Sequence, residues 1–187
     1  MKKKSLALVL ALAMIVVCVV GGTLAWLTAK TNDVKNTFTT SDIDITLTET
    51  KGGVDKEFKM VPGYTIDKDP KVTVVAGSEK CYLFVKLDES TNFNTFLTYT
   101  MADGWTALDG VSGVYYRVVD TADMGTAFSV LKNDRVTVLD SVTKDDMNAL
   151  TANTYPTLTV TAYASQYMKN NTDHFTEAQA WANVPTT

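Results

Sequence analysis

A period of two in the apolar side chains governs what this 187-residue chain can fold into. In Asp42-Ile43-Asp44-Ile45-Thr46-Leu47-Thr48, the side chains of Ile43, Ile45 and Leu47 share one face. Asp42, Asp44, Thr46 and Thr48 share the other, which is the pattern of a half-buried strand. The same rhythm predicts strands over 71–76, 80–87, 114–119, 135–139 and 157–165. In the last of these, Leu158, Val160, Ala162 and Ala164 alternate with threonines, Tyr163 and Ser165. Turn chemistry separates the runs: Lys51-Gly52-Gly53, Pro62-Gly63, Asp69-Pro70, Ala76-Gly77-Ser78, Asp103-Gly104 and Asp109-Gly110. Threonine, which suits the wet face of a sheet, is about one residue in six after position 25.

Helical signals are few and short. Thr143 caps a turn through Asp146 that buries Met147 and Leu150. Thr176 and Gln179 fit a capping box, with Phe175 placed to staple against Ala180. That helix is expected to present Ala178, Trp181 and Ala182 to the domain. Strands spaced by turns, without long helices between them, predict a mostly β fold. The expected form is a jelly-roll-like antiparallel β-sandwich with one or two short helices, rather than a βαβ fold.

The first residues follow different rules. Lys2, Lys3 and Lys4 precede an almost wholly aliphatic stretch from Leu6 to Val20, and Gly21-Gly22-Thr23-Leu24-Ala25 follows it. A basic start, an apolar run and small residues at the exit describe a secretory signal over 1–25, cut between Ala25 and Trp26. The competing reading is a retained membrane anchor, since the uncharged stretch is long enough to span a bilayer. Either way the chain is expected outside the cytoplasm, secreted or at the cell surface. The signal region carries three of the 17 basic residues and none of the 21 acidic ones. Its loss takes the net charge from -4 to -7. An acidic surface of that kind argues against nucleic acid as a partner. The remaining 26–187 form one segment of 26–41 and a single β domain over 42–187.

Catalytic sets are scarce. There is no phosphate-binding glycine loop, no His-Glu-x-x-His and no nucleophile elbow. Cys81 lies in an apolar strand pattern and reads as a buried hydrophobe. The one histidine, His174, stands three residues before Glu177, a weak candidate pair for a metal, and reads more simply as a surface turn entering a helix. Asp42 with Asp44, and Asp67 with Asp69, offer the hard oxygen ligands that calcium takes, but no Asp-x-Asp-x-Asp-Gly loop occurs. No catalytic residue, calcium or zinc site, or other cofactor is therefore assigned. Trp105 and the pair Tyr115-Tyr116 are candidate sugar-stacking aromatics or core residues.

Several blocks resemble one family. They are Gly21-Gly22-Thr23-Leu24-Ala25-Trp26-Leu27-Thr28, Asn36-Thr37-Phe38-Thr39 and Ile43-Asp44-Ile45-Thr46-Leu47. The likeness continues through Val61-Pro62-Gly63-Tyr64, Asp69-Pro70-Lys71-Val72, Gly77-Ser78-Glu79-Lys80-Cys81-Tyr82 and the block at 175–184. Together they are similar to the TasA/camelysin family of exported proteins of Gram-positive bacteria, which a SipW-type signal peptidase processes. The resemblance implies a jelly-roll subunit or accessory of extracellular biofilm-matrix fibres. In such fibres the mature N-terminal segment adds as a strand to the next copy. Here that donor is 26–35, with Trp26, Leu27 and Val34 as anchors. Its partners are other copies of the chain or related fibre subunits, and the membrane enters only through the uncleaved signal. The alternatives are a camelysin-like surface metallo-endopeptidase and an envelope glycan-binding module. The last residues, Asn183-Val184-Pro185-Thr186-Thr187, carry no sortase-type signal, so covalent wall anchoring is not expected.

Overall fold

The computed structural model describes residues 42–51 and 58–185. In chain order the elements are β1 (Ile45–Thr48), β2 (Thr65–Asp67), β3 (Lys71–Val74), β4 (Cys81–Glu89), α1 (Phe93–Phe96), β5 (Leu97–Thr98) and β6 (Thr106–Ala107). Then follow β7 (Val114–Val119), β8 (Ala127–Ser129), β9 (Arg135–Val138), α2 (Lys144–Asn148), β10 (Leu158–Gln166) and α3 (Glu177–Ala182). Every strand pair is antiparallel. The fold is therefore mostly β, as the alternation requires, and all of it lies within one compact unit, Thr40–Thr187.

The architecture turns on β4. Its residues Cys81, Leu83, Val85 and Leu87 enter one core with Val72 and Val74 of β3, Val136 and Val138 of β9, and Leu97 of β5. Tyr82 and Phe84 point the other way, into a second cluster with Val114, Tyr116, Ala180 and Trp181. A strand buried on both faces must be apolar at successive positions, which is why this run breaks the alternation seen elsewhere. The sheet β10-β4-β7-β6 is thus the central layer. Strands of the sheets β1-β3-β8 and β2-β9-β5 cover one face, and α3 covers the other. Two sheets packed on a shared apolar layer make a β-sandwich.

The two smaller sheets are halves of one bent ribbon. β2 pairs with β9 and β3 with β8, but three residues separate β2 from β3 while five separate β8 from β9. The surplus pair is absorbed as a bulge, where Asn133 (φ 57°) and Asp134 (φ 54°) take left-handed conformations. Lys68 N–H bonds the Asp134 carbonyl at 2.9 Å and Val130 N–H bonds that of Pro70 at 3.0 Å, so pairing resumes on either side.

Both capping boxes form: Thr143 with Asp146 at α2, and Thr176 with Gln179 at α3. The buried stripe of α3 differs from expectation. Ala180 and Val184 are buried with Trp181 packed beside them, whereas Ala178 and Ala182 are exposed. Phe175 joins the same cluster and fixes how the chain enters, and the i, i+4 pair 180/184 then follows on its side. β2, β5, β6 and β8, each two or three residues long, have no separate sequence signal.

Candidate functional site

β10 has nine residues and, among the described residues, is hydrogen-bonded to a strand on one side only. Its phase follows from its ends: Ser90 N–H bonds the Thr157 carbonyl at 3.0 Å, and Tyr167 N–H bonds the Lys80 carbonyl at 3.2 Å. Odd-numbered residues therefore point their backbone groups at β4. The N–H and C=O groups of Leu158, Val160, Ala162, Ala164 and Gln166 face outward, and among the described residues no strand pairs with them. The side chains of Leu158, Val160, Ala162 and Ala164 are partly buried against the core.

β1 runs alongside this edge without pairing to it. Val75 N–H bonds the Asp44 carbonyl at 2.8 Å, which sets the phase of β1. Ile45 and Leu47 therefore turn their backbone groups away from β3. Ile43 and Ile45 pack on the core, while Leu47, on the same face, is 41% exposed. The result is an apolar seam between two edges that no strand among the described residues pairs, rimmed by the small side chains Ala162 and Ala164. Such a seam supplies main-chain hydrogen bonds and side-chain pockets to an extended chain.

The residues singled out in the sequence fall as follows. Ala25, Trp26, Leu27 and Val34 lie outside the described residues. His174 is exposed, its ring stacked 4.8 Å from that of Tyr167 and its Nδ1 2.9 Å from the Phe175 carbonyl. Glu177 instead turns its charge toward Tyr82 and Tyr116, helping burial to hold both phenols above their ordinary pKa. Among the described residues no group of three His, Cys, Asp or Glu side chains is placed to hold a metal.

The calcium candidates are otherwise engaged. Asp69 is only 3% exposed and accepts the Thr50 hydroxyl and the Thr50 and Lys51 amides, bonds that draw its pKa down against the effect of burial. Asp67 faces Lys51 at 3.2 Å and Arg135 at 3.5 Å. Asp42 and Asp44 are exposed at the start of β1, where Ser78 Oγ accepts the Asp44 amide at 3.1 Å.

Trp105, the candidate sugar platform, is 9% exposed and donates its indole N–H to the Ser129 carbonyl at 2.8 Å, so its faces are packed rather than offered. Tyr115 and Tyr116 do fall on opposite faces of β7, in the two clusters. Cys81 is fully buried, and desolvation pushes its thiol pKa up to about 11. Arg117 belongs to no catalytic or binding motif of the sequence, although a period of two places it on the inward face with Tyr115 and Val119. Among the described residues no helix is long and apolar enough to cross a membrane. Compared with known proteins, the chain matches no family model, no curated protein and no solved structure.

Proposed function

We propose that this chain is an exported structural protein of TasA/camelysin type, a subunit or accessory of extracellular biofilm-matrix fibres that assemble by strand exchange. The observation that carries the reading is the β10 edge, five residues of outward backbone over an apolar row. Each main-chain hydrogen bond to that edge contributes about 1 kcal/mol net, so a strand of this length adds up to a specific contact. The donor is 26–35, where Trp26, Leu27 and Val34 supply apolar anchors. A SipW-type signal peptidase cutting after Ala25 frees that segment, so processing gates assembly.

The strand pairing supports a jelly roll. Count β2–β3 and β8–β9 as single bent strands, so that there are eight. The second then pairs with the seventh, the third (β4) with the sixth (β7), and the first lies beside the eighth. That nesting is how a double Greek key rolls up. The first and eighth strands pair with β3 and β4 but not with each other, which opens the sandwich at one seam. A donor from one copy filling the seam of the next is a head-to-tail contact, and it propagates when its rotation does not close.

The test is to produce the chain beginning at Trp26 and follow it by size exclusion and negative-stain microscopy. Filaments that disappear when 26–35 is deleted, leaving a folded monomer, are the expected result. A protein that stays monomeric at all concentrations, or filaments indifferent to the deletion, would overturn the reading.

A further inference from the structure

Arg117 carries a cation onto the inward face of β7, where its alternate neighbours Tyr115 and Val119 pack into the core. Its Cζ lies 3.8 Å from the centroid of the Phe128 ring and 5.4 Å from that of Trp105. Trp105 is itself fixed by its bond to Ser129. Gly104, at φ +88°, closes against the guanidinium: a Cβ there would come within 3.0 Å of Nη2. Rings on β8 and before β6, together with a glycine that must be a glycine, thus hold the fork in one place.

Arg117 Nε is buried with no hydrogen-bond partner, and no carboxylate among the described residues lies within ion-pair distance of the side chain. Burial pulls its pKa below the ordinary arginine value, opposed only by the more distant charge of Asp123. The contrast within the same domain is sharp. Lys68 finds Glu49 at 3.1 Å, Lys80 finds Asp120 at 2.9 Å and Lys86 finds Asp88 at 2.8 Å. Arg117 is half-buried, and taking part of a cation out of water without a paired anion has a cost that aromatic faces offset only in part.

We propose that Arg117 is the receptor of a carboxylate-binding site, its guanidinium set between β7 and β8 and the carboxylate coming from outside the domain. A planar fork held by rings matches the planar carboxylate, and its position is set before the ligand arrives. The carboxylate has two sources: an acidic side chain of a second copy, or a free small carboxylate.

The chain contains only two arginines, Arg117 and Arg135, so its arginine Nε–H region in a nitrogen-15 NMR spectrum is assignable with Arg135→Lys alone. Titration with sodium acetate against sodium chloride at equal ionic strength identifies the free ligand. A saturable shift of the Arg117 signal, with its midpoint in the millimolar range, is the expected result. A shift that instead follows protein concentration without acetate, and that acetate reverses, assigns the carboxylate to a second copy. Either response should persist in Asp123→Asn, while Arg117→Lys removes the signal itself and so confirms its assignment. An Arg117 signal unmoved in both titrations, or moved by phosphate and not by acetate, overturns the proposal and leaves the guanidinium as packing.

Discussion

The indole of Trp181 packs 5.2 Å from the ring of Phe84 and edge-on to Tyr163 at 5.4 Å. This contact explains why a β4 residue can be aromatic on the face that points away from the main core. α3 roofs that face, and Trp181 is its largest contribution. Trp181→Ala should cost about 2 kcal/mol, less than the roughly 3–5 of a fully buried aromatic because one edge of the ring meets water. Urea denaturation gives the number, and increased dye binding to the uncovered face should accompany it.

The helix itself depends on Thr176, whose hydroxyl accepts the Gln179 backbone N–H while its own backbone N–H donates to the Gln179 side-chain oxygen. With only six residues in α3, the cap is a large share of what holds it. Thr176→Ala should lose about 1 kcal/mol, and Thr176→Asn should restore most of it. Hydrogen exchange should show the loss confined to α3 and the segment around Phe175.

Asp69 ties the end of β1 to the β2–β3 bend through three hydrogen bonds, led by the one from the Thr50 hydroxyl. Those bonds hold its folded pKa below the unfolded carboxyl value of about 3.9. A lowered carboxyl pKa contributes stability that is complete above the unfolded value and is lost as pH falls through the folded one. Stability should therefore drop on acidification below about pH 4. Asp69→Asn should flatten that limb, and thermal melts between pH 2.5 and 6 compare the two.

Cys81 offers a control on the central layer. Its thiol, with a pKa raised to about 11 and no exposed surface, should ignore a thiol reagent at pH 8 in the folded protein. In a Cys18→Ser background the labelling rate should track global unfolding as urea is added. Rapid labelling of native protein would mean that β4 is accessible from the edge of the sheet.

How much of this was written in the sequence depends on the length scale of each signal. β7 was legible to the residue, because Val114 to Val119 alternates between two clusters that each need an apolar partner. The capping boxes were legible because all their atoms lie within four residues. β2 and β8 were not: they exist by pairing across a bulge whose left-handed Asn133 and Asp134 carry no glycine to announce it. Ala178 and Trp181 looked equivalent on a helical wheel, and only the position of Phe84 decides that the stripe runs through Ala180. The apolar row of β10 was visible in its alternation. That no strand among the described residues pairs with its other edge is a property of topology, which a local pattern does not contain.

That unpaired edge gives the sharpest mutational test. Ala162 N–H points away from β4, so Ala162→Pro removes a donor that no strand among the described residues uses. The ring also places bulk where an added strand would come within about 5 Å. The monomer should stay folded, with a stability loss of about 1 kcal/mol from local backbone adjustment, while assembly of the chain starting at Trp26 should stop. Proline at Thr161 is the control: its N–H belongs to the ladder with β4, so it should unfold the monomer itself. Light scattering for assembly and circular dichroism for the monomer separate the two effects. Fibres formed at the unmodified rate by a folded Ala162→Pro protein would remove β10 as the acceptor edge and leave the β1 edge to be tested next.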